Sequence, residues 1–146
     1  MLFFILLIIF IIMVSSLIST NNKIVILVNE IKLHMANTNA AREKYRTVQR
    51  QALGLAGKAG QNEGNLFKDI SNKHGSIDGS SLRALGNLYP ELNDKFQASA
   101  DLVDSLYDTY LQEQNMLNSA ITEYNMYISR IPTSIYAGIL GYKKDT

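Results

Sequence analysis

Three carboxylates, Asp101, Asp104 and Asp108, recur at spacings of three and four. In a helix that spacing stacks them on one face, where they could offer oxygen ligands to a hard cation such as calcium. No second acidic helix accompanies them to complete an oxygen cage, so the stripe reads more simply as a solvated face or one turned toward arginine. The two histidines, His34 and His74, fall in separate segments, and neither forms an HExxH-type metal site. Gly54-Leu-Ala-Gly57-Lys58 has the flavour of a phosphate loop but fails twice: a P-loop places four residues between its glycines, and Ala59 stands where Ser or Thr must follow the lysine. Neither a Gly-x-Ser-x-Gly elbow nor a dinucleotide-binding fingerprint occurs. The chain has no cysteine, which excludes disulfides, thiolate metal sites and cysteine nucleophiles. The expectation is a non-enzymatic protein with no catalytic residues, no metal and no cofactor.

The carboxylates belong to a stretch that also carries a long apolar seam. Phe96, Val103, Tyr110, Leu117, Tyr124 and Ile131 recur every seven residues, and Ala100, Leu106, Tyr107, Ala120, Ile121, Tyr127 and Ile128 widen the stripe to a face that a partner helix can cover. Pro90 and Pro132, the only prolines, bracket this stretch and set its ends. A helix over 96–131 would be about 54 Å long, too long for a compact globule of this size unless other helices lie along it. Tyr107, Tyr110, Tyr124 and Tyr127 could line a binding groove, but rings at this spacing more often fill a bundle seam with their hydroxyls at its edge. Gln114 is a polar position in the seam, suited to fixing register.

Upstream, Met1–Ile18 is apolar except for Ser15 and Ser16, and no charge appears before Lys23. A bilayer span needs about 20 predominantly apolar residues, so residues 1–22 are expected to form a transmembrane anchor and residues 23–146 the body. A cleaved signal peptide is the rival; it would need a basic n-region, a shorter apolar run and a small-residue cleavage site beyond it, whereas Val14-Ser15-Ser16 lies inside the run. Lys23 and Lys32 follow the span and nothing charged precedes it, which leans toward a cytoplasmic body.

The apolar period continues through Ile24, Leu27, Val28, Ile31, Met35, Thr38, Ala41, Tyr45, Val48, Ala52, Leu55 and Ala59, so the anchor is expected to run on as a stalk helix. The other face of this stalk carries Arg42, Lys44, Arg46 and Arg50. Net charge is only +1, which does not suggest a nucleic-acid partner. Locally the balance differs: +5 from seven Lys/Arg against two acids over Lys23–Lys58, and −6 from one Lys against seven acids over Glu91–Glu123. The basic patch could therefore meet the acidic helix or anionic lipid, or simply be solvated.

Gly54, Gly57, Gly60 and Gly64 interrupt the stalk and mark either a turn at Gly60–Gly64 or a close helix contact. A short helix holding Leu66, Phe67 and Ile70 should stop near His74-Gly75. Ser80 or Ser81 is then expected to cap a helix carrying Leu82, Leu85 and Leu88. Thr133–Tyr142 is an apolar tail too short to span, expected to pack on the bundle or to lie at the membrane interface.

Tyr89-Pro90-Glu91-Leu92, the long helix ending in Glu123-Tyr124-Asn125 through Ile131-Pro132, and the tail Ala137-Gly138-Ile139-Leu140-Gly141-Tyr142-Lys143-Lys144 together resemble the LemA family. The uncharged N-terminal span followed directly by a helix fits as well. The first soluble half departs from the pattern: it lacks tryptophan and an Ile-Pro-Asn after the stalk, reading Met35-Ala-Asn-Thr-Asn39 and later Gln51-Ala-Leu-Gly54. The resemblance implies an all-α, single-pass bacterial membrane protein whose soluble portion is an antiparallel bundle of three to four helices. It supplies no catalytic residues. Some relatives are associated with specialised bacterial membranes such as magnetosomes, which implies a scaffold or assembly role. Expected partners are membrane lipid, an unidentified protein and a second copy of the chain. The alternative is a membrane-active or self-assembling protein that engages lipid through both anchor and tail.

Overall fold

The computed structural model of the chain describes residues 1–57 and 78–145. The turn expected at Gly60–Gly64, the helix at Leu66, Phe67 and Ile70, and its stop at His74-Gly75 lie outside the described residues. Every described element is helical. Helix α1 runs Leu2–Gly57, α2 Gly79–Leu88 and α3 Asn93–Ser129, with a 3-10 turn at Pro90–Leu92 leading into α3; α4 is Thr133–Leu140. The two prolines do delimit α3. Pro90 opens the 3-10 turn, where its missing N–H costs nothing, and Pro132 precedes α4.

The residues group into two compact units, Met1–Ala36 with Gln114–Thr146, and Asn37–Glu113. In the first, Ile24, Leu27 and Ile31 of α1 pack with Ala120, Tyr124 and Ile128 of α3 and Ala137 of α4. In the second, Ala52 of α1, Leu82 and Leu85 of α2, and Phe96, Ala100 and Val103 of α3 form a separate core, flanked by Tyr45, Val48, Tyr89 and Leu92. There α1 and α3 run antiparallel: Arg42 meets Tyr110 and Tyr45 meets Tyr107, three residues forward on one helix and three back on the other.

The stalk period holds from Ile24 to Ala52, except that Met35 is exposed; the Leu55 side chain and Ala59 lie outside what the structure describes. The seven-residue seam of α3 holds for Phe96, Val103 and Tyr124, which are buried, and for Tyr110 and Leu117, which are half-buried. It fails at Ile131, which is 83% exposed because α3 ends at Ser129 and the chain turns before that position can face the core. Leu88 lies in α2 with Leu82 and Leu85, as expected, but does not share their burial. It is 62% exposed, since α2 ends there and the chain turns into Tyr89.

The start of α2 is a further correction. Neither Ser80 nor Ser81 caps it; Asp78 does, accepting the Ser81 N–H at 2.9 Å and the hydroxyls of Ser80 and Ser81 at 2.9 and 2.7 Å through the same Oδ1. A carboxylate takes three donors at a helix N-terminus more readily than a serine hydroxyl, and it also suits the helix dipole. Those hydrogen bonds hold the Asp78 carboxyl below its ordinary range, against a smaller opposing effect of burial.

Candidate functional site

The acidic stripe of α3 meets a partner that its own spacing does not reveal. Arg83, one turn into α2, places Nη2 2.8 Å from Asp101 Oδ1 and Nη1 2.9 Å from Asp104 Oδ2. Asp104 Oδ1 also accepts the Gly79 N–H at 3.2 Å. Asp104 therefore ties α2 to α3 twice. The two carboxylates raise the Arg83 pKa above its ordinary value, mainly through the hydrogen bond to Asp101 and then that to Asp104. A cation thus occupies this face, but it is a guanidinium. Asp108 pairs with none of the described residues.

The basic face of α1 does not form ion pairs with this stripe, although Lys23, earlier on α1, meets Glu123 of α3 at 3.8 Å. Arg42 lies over the Tyr110 ring, 5.6 Å from its centroid, and reaches the Tyr110 hydroxyl at 3.4 Å. Arg46 pairs within its own helix with Glu43 at 3.4 Å. Lys44 lines an open groove with Val48, Leu102 and Leu106, and Arg50 is exposed. The physical reason is position. Apolar and aromatic side chains fill the α1–α3 contact, with Tyr45, Tyr107 and Tyr110 stacked in series at 5.7 and 6.5 Å, so the charged groups stay at its rim. Tyr107 is itself 44% exposed, so it edges the seam rather than filling it.

The Tyr124-Asn125 pair holds the C-terminal segment. The buried Tyr124 donates its hydroxyl to the Lys143 carbonyl at 2.7 Å. Asn125 donates from Nδ2 to the Asp145 carbonyl and accepts the Asp145 N–H at Oδ1, both at 2.8 Å. Burial pushes the Tyr124 phenol pKa up, with the nearby Asp145 carboxylate adding to it. Tyr142 donates to Asn21 Oδ1 at 2.9 Å, so the tail is also pinned to α1. The turn that permits this is Gly141, left-handed at φ 81°, whose N–H and that of Tyr142 satisfy the last carbonyls of α4. Of the tail residues Ala137 is buried, whereas Ile135 and Ile139 are 59% and 68% exposed.

The other residues quoted for the resemblance have structural positions. Tyr89 and Leu92 pack against the core of the second unit, Pro90 and Glu91 sit in the 3-10 turn, and Pro132 begins the turn into α4. Sequence reasoning missed Arg83 and Asn21. The signal for Arg83 was available, since it is the one cation between Lys73 and Lys95.

At the other end, α1 has one segment long and apolar enough to cross a membrane, with a mean hydropathy of 3.0 in its most apolar window and none of that window buried. Leu2 to Val14 are all apolar and all exposed, from 40% at Val14 to 74% at Leu2.

Comparison with curated proteins and with solved structures finds no match. The LemA family model matches residues 13–146, nearly the whole chain, and the chain belongs to the LemA family.

Proposed function

We propose that residues 1–22 anchor the protein in a bilayer and that residues 23–146 form a helical scaffold, a non-enzymatic module that presents a surface to another protein near the membrane. One observation carries the anchor: an unbroken run of apolar side chains at the start of α1, covered by none of the described residues. Leaving thirteen such side chains in water is costly, since each contributes roughly 1.5 to 3 kcal/mol when fully buried. Lipid supplies the burial. Lys23 and Lys32 beyond the run favour a cytoplasmic body.

Alkaline washing of membranes that carry the full chain tests this reading. The full chain should stay in the pellet and a chain lacking residues 1–22 should be released; release of both contradicts the anchor. For the scaffold, repeated recovery of the solubilised protein as a bare monomer, without a reproducible companion, would count against it.

A second reading rests on the exposed Ile131, Ile135 and Ile139: the protein is membrane-active or self-assembling through its anchor and tail. Leakage of dye from liposomes separates the two, because a passive anchor causes none.

A further inference from the structure

We infer that the C-terminal hairpin forms a second membrane contact, in which Ile131, Ile135 and Ile139 dip into the head-group region of an anionic bilayer beside the point where α1 emerges. The inference rests on the proposed anchor and deepens it.

The three isoleucines are spaced by four, and Ile135 and Ile139 share one face of α4. Two residues from each, on the opposite face, Ala137 is buried in the core with Ile24 and Ile128. The isoleucine face thus points away from the bundle. Among the described large apolar side chains outside the first ten residues, its exposures of 83%, 59% and 68% are the highest, apart from Leu88, Ile12 and Ile26 in the same range.

What covers this face follows from where the tail is fastened. The Tyr142 hydroxyl is 2.9 Å from Asn21 Oδ1, and Asn21 and Asn22 are the last uncharged residues before Lys23. Ala137 belongs to the same buried cluster as Ile24, Leu27 and Ile31 of α1. The tail is therefore fastened beside the last residues of the span, which keeps the isoleucine face within reach of the interface, where an apolar helix face sits about 5 to 10 Å deep.

Charge identifies the lipid. Arg130 stands just before the turn and Lys143 and Lys144 just after α4, all exposed, against one acid, Asp145, for a net +2 over 130–145. Cations flanking an apolar helix face attract anionic head groups. The Tyr124 bond uses the Lys143 carbonyl and not its ammonium, so the latch leaves that charge available.

The absence of cysteine permits a direct test. An environment-sensitive fluorophore is attached to I139C, and separately to I8C, in the full chain reconstituted into vesicles containing spin-labelled lipids. The inference predicts that the probe at 139 is quenched most by labels near the head groups, and the probe at 8 most by labels deep in the chains. In anionic vesicles, Lys143→Gln with Lys144→Gln should lower the ratio of inserted to released tail by about thirtyfold. Quenching at 8 but not at 139 overturns this inference and leaves the anchor standing; quenching at neither overturns the anchor. An apolar signal at 139 without lipid quenching means that protein, a second copy or a partner, covers the face, and also overturns the inference. Equal insertion in neutral and anionic vesicles overturns the assignment of an anionic lipid.

Discussion

Asn125 grips the backbone of Asp145 with both ends of its amide, one 2.8 Å bond donated and one 2.8 Å bond accepted. Only Asn or Gln can make this reciprocal pair, and from this position on α3 the shorter side chain has the matching reach. Together with Tyr124 it fastens residues 143–145 to α3 as a strap.

Replacing Asn125 by Leu should release that strap while leaving the helices in place. Both partners are exposed, so the loss is about 0.5 to 1.5 kcal/mol per bond at most. Amide exchange at Asp145 should accelerate in Asn125→Leu with little change in helical circular dichroism. Unchanged exchange would show that the pair holds nothing.

Gly79 and Asp104 should prove coupled. A Cβ at Gly79 would run into both Asp104 carboxylate oxygens, so Gly79→Ala must push the carboxylate away from Arg83 and from the Gly79 N–H. We expect about 1 to 2 kcal/mol of destabilisation, within the usual range for a point change. In an Asp104→Ala background the same substitution should cost much less. Thermal unfolding of the four detergent-solubilised proteins measures the coupling, and strict additivity would contradict it.

The second core depends on Phe96, 1% exposed and packed with Leu82, Leu85, Ala100 and Val103. Phe96→Ala should cost about 3 to 5 kcal/mol, whereas Leu88→Ala, at an exposed site, should cost far less. Comparable losses at the two positions would refute this assignment of the core.

Much of this was legible in the sequence because periodicity reports burial. The stalk positions from Ile24 to Ala52, the seam from Phe96 to Tyr124 and the prolines at its ends are all consequences of helical repeat and backbone sterics. What was not legible depends on where elements stop and meet. The seven-residue repeat includes Ile131, but the helix ends first. Opposite charge on α1 and α3 suggested pairing, and Lys23 does meet Glu123 at 3.8 Å, yet sign does not specify partner: Arg83 from the intervening helix reached Asp101 and Asp104. The strap at Tyr124 and Asn125 binds backbone atoms, which every residue carries, so side-chain type at 143 and 145 gave no clue.

Stability should depend on pH at both extremes. The folded-state pKa of Asp78 lies below its unfolded value of about 3.9, so its contribution is complete above that value and is lost as the pH falls through the lower folded pKa. Tyr124 behaves oppositely. Its folded pKa is raised, so its contribution is full below the unfolded value of about 10 and is lost as the pH rises through the folded one. Comparing Asp78→Asn and Tyr124→Phe with the parent chain in acid and alkaline melts should flatten one limb each; an unchanged limb would contradict the assignment.

The most direct test of the account is the intact mass of the protein extracted from membranes. A mass that still includes residues 1–22 is predicted, because the apolar start of α1 is retained as an anchor. A species shorter by the first twenty or so residues, recovered in the aqueous fraction, would contradict it.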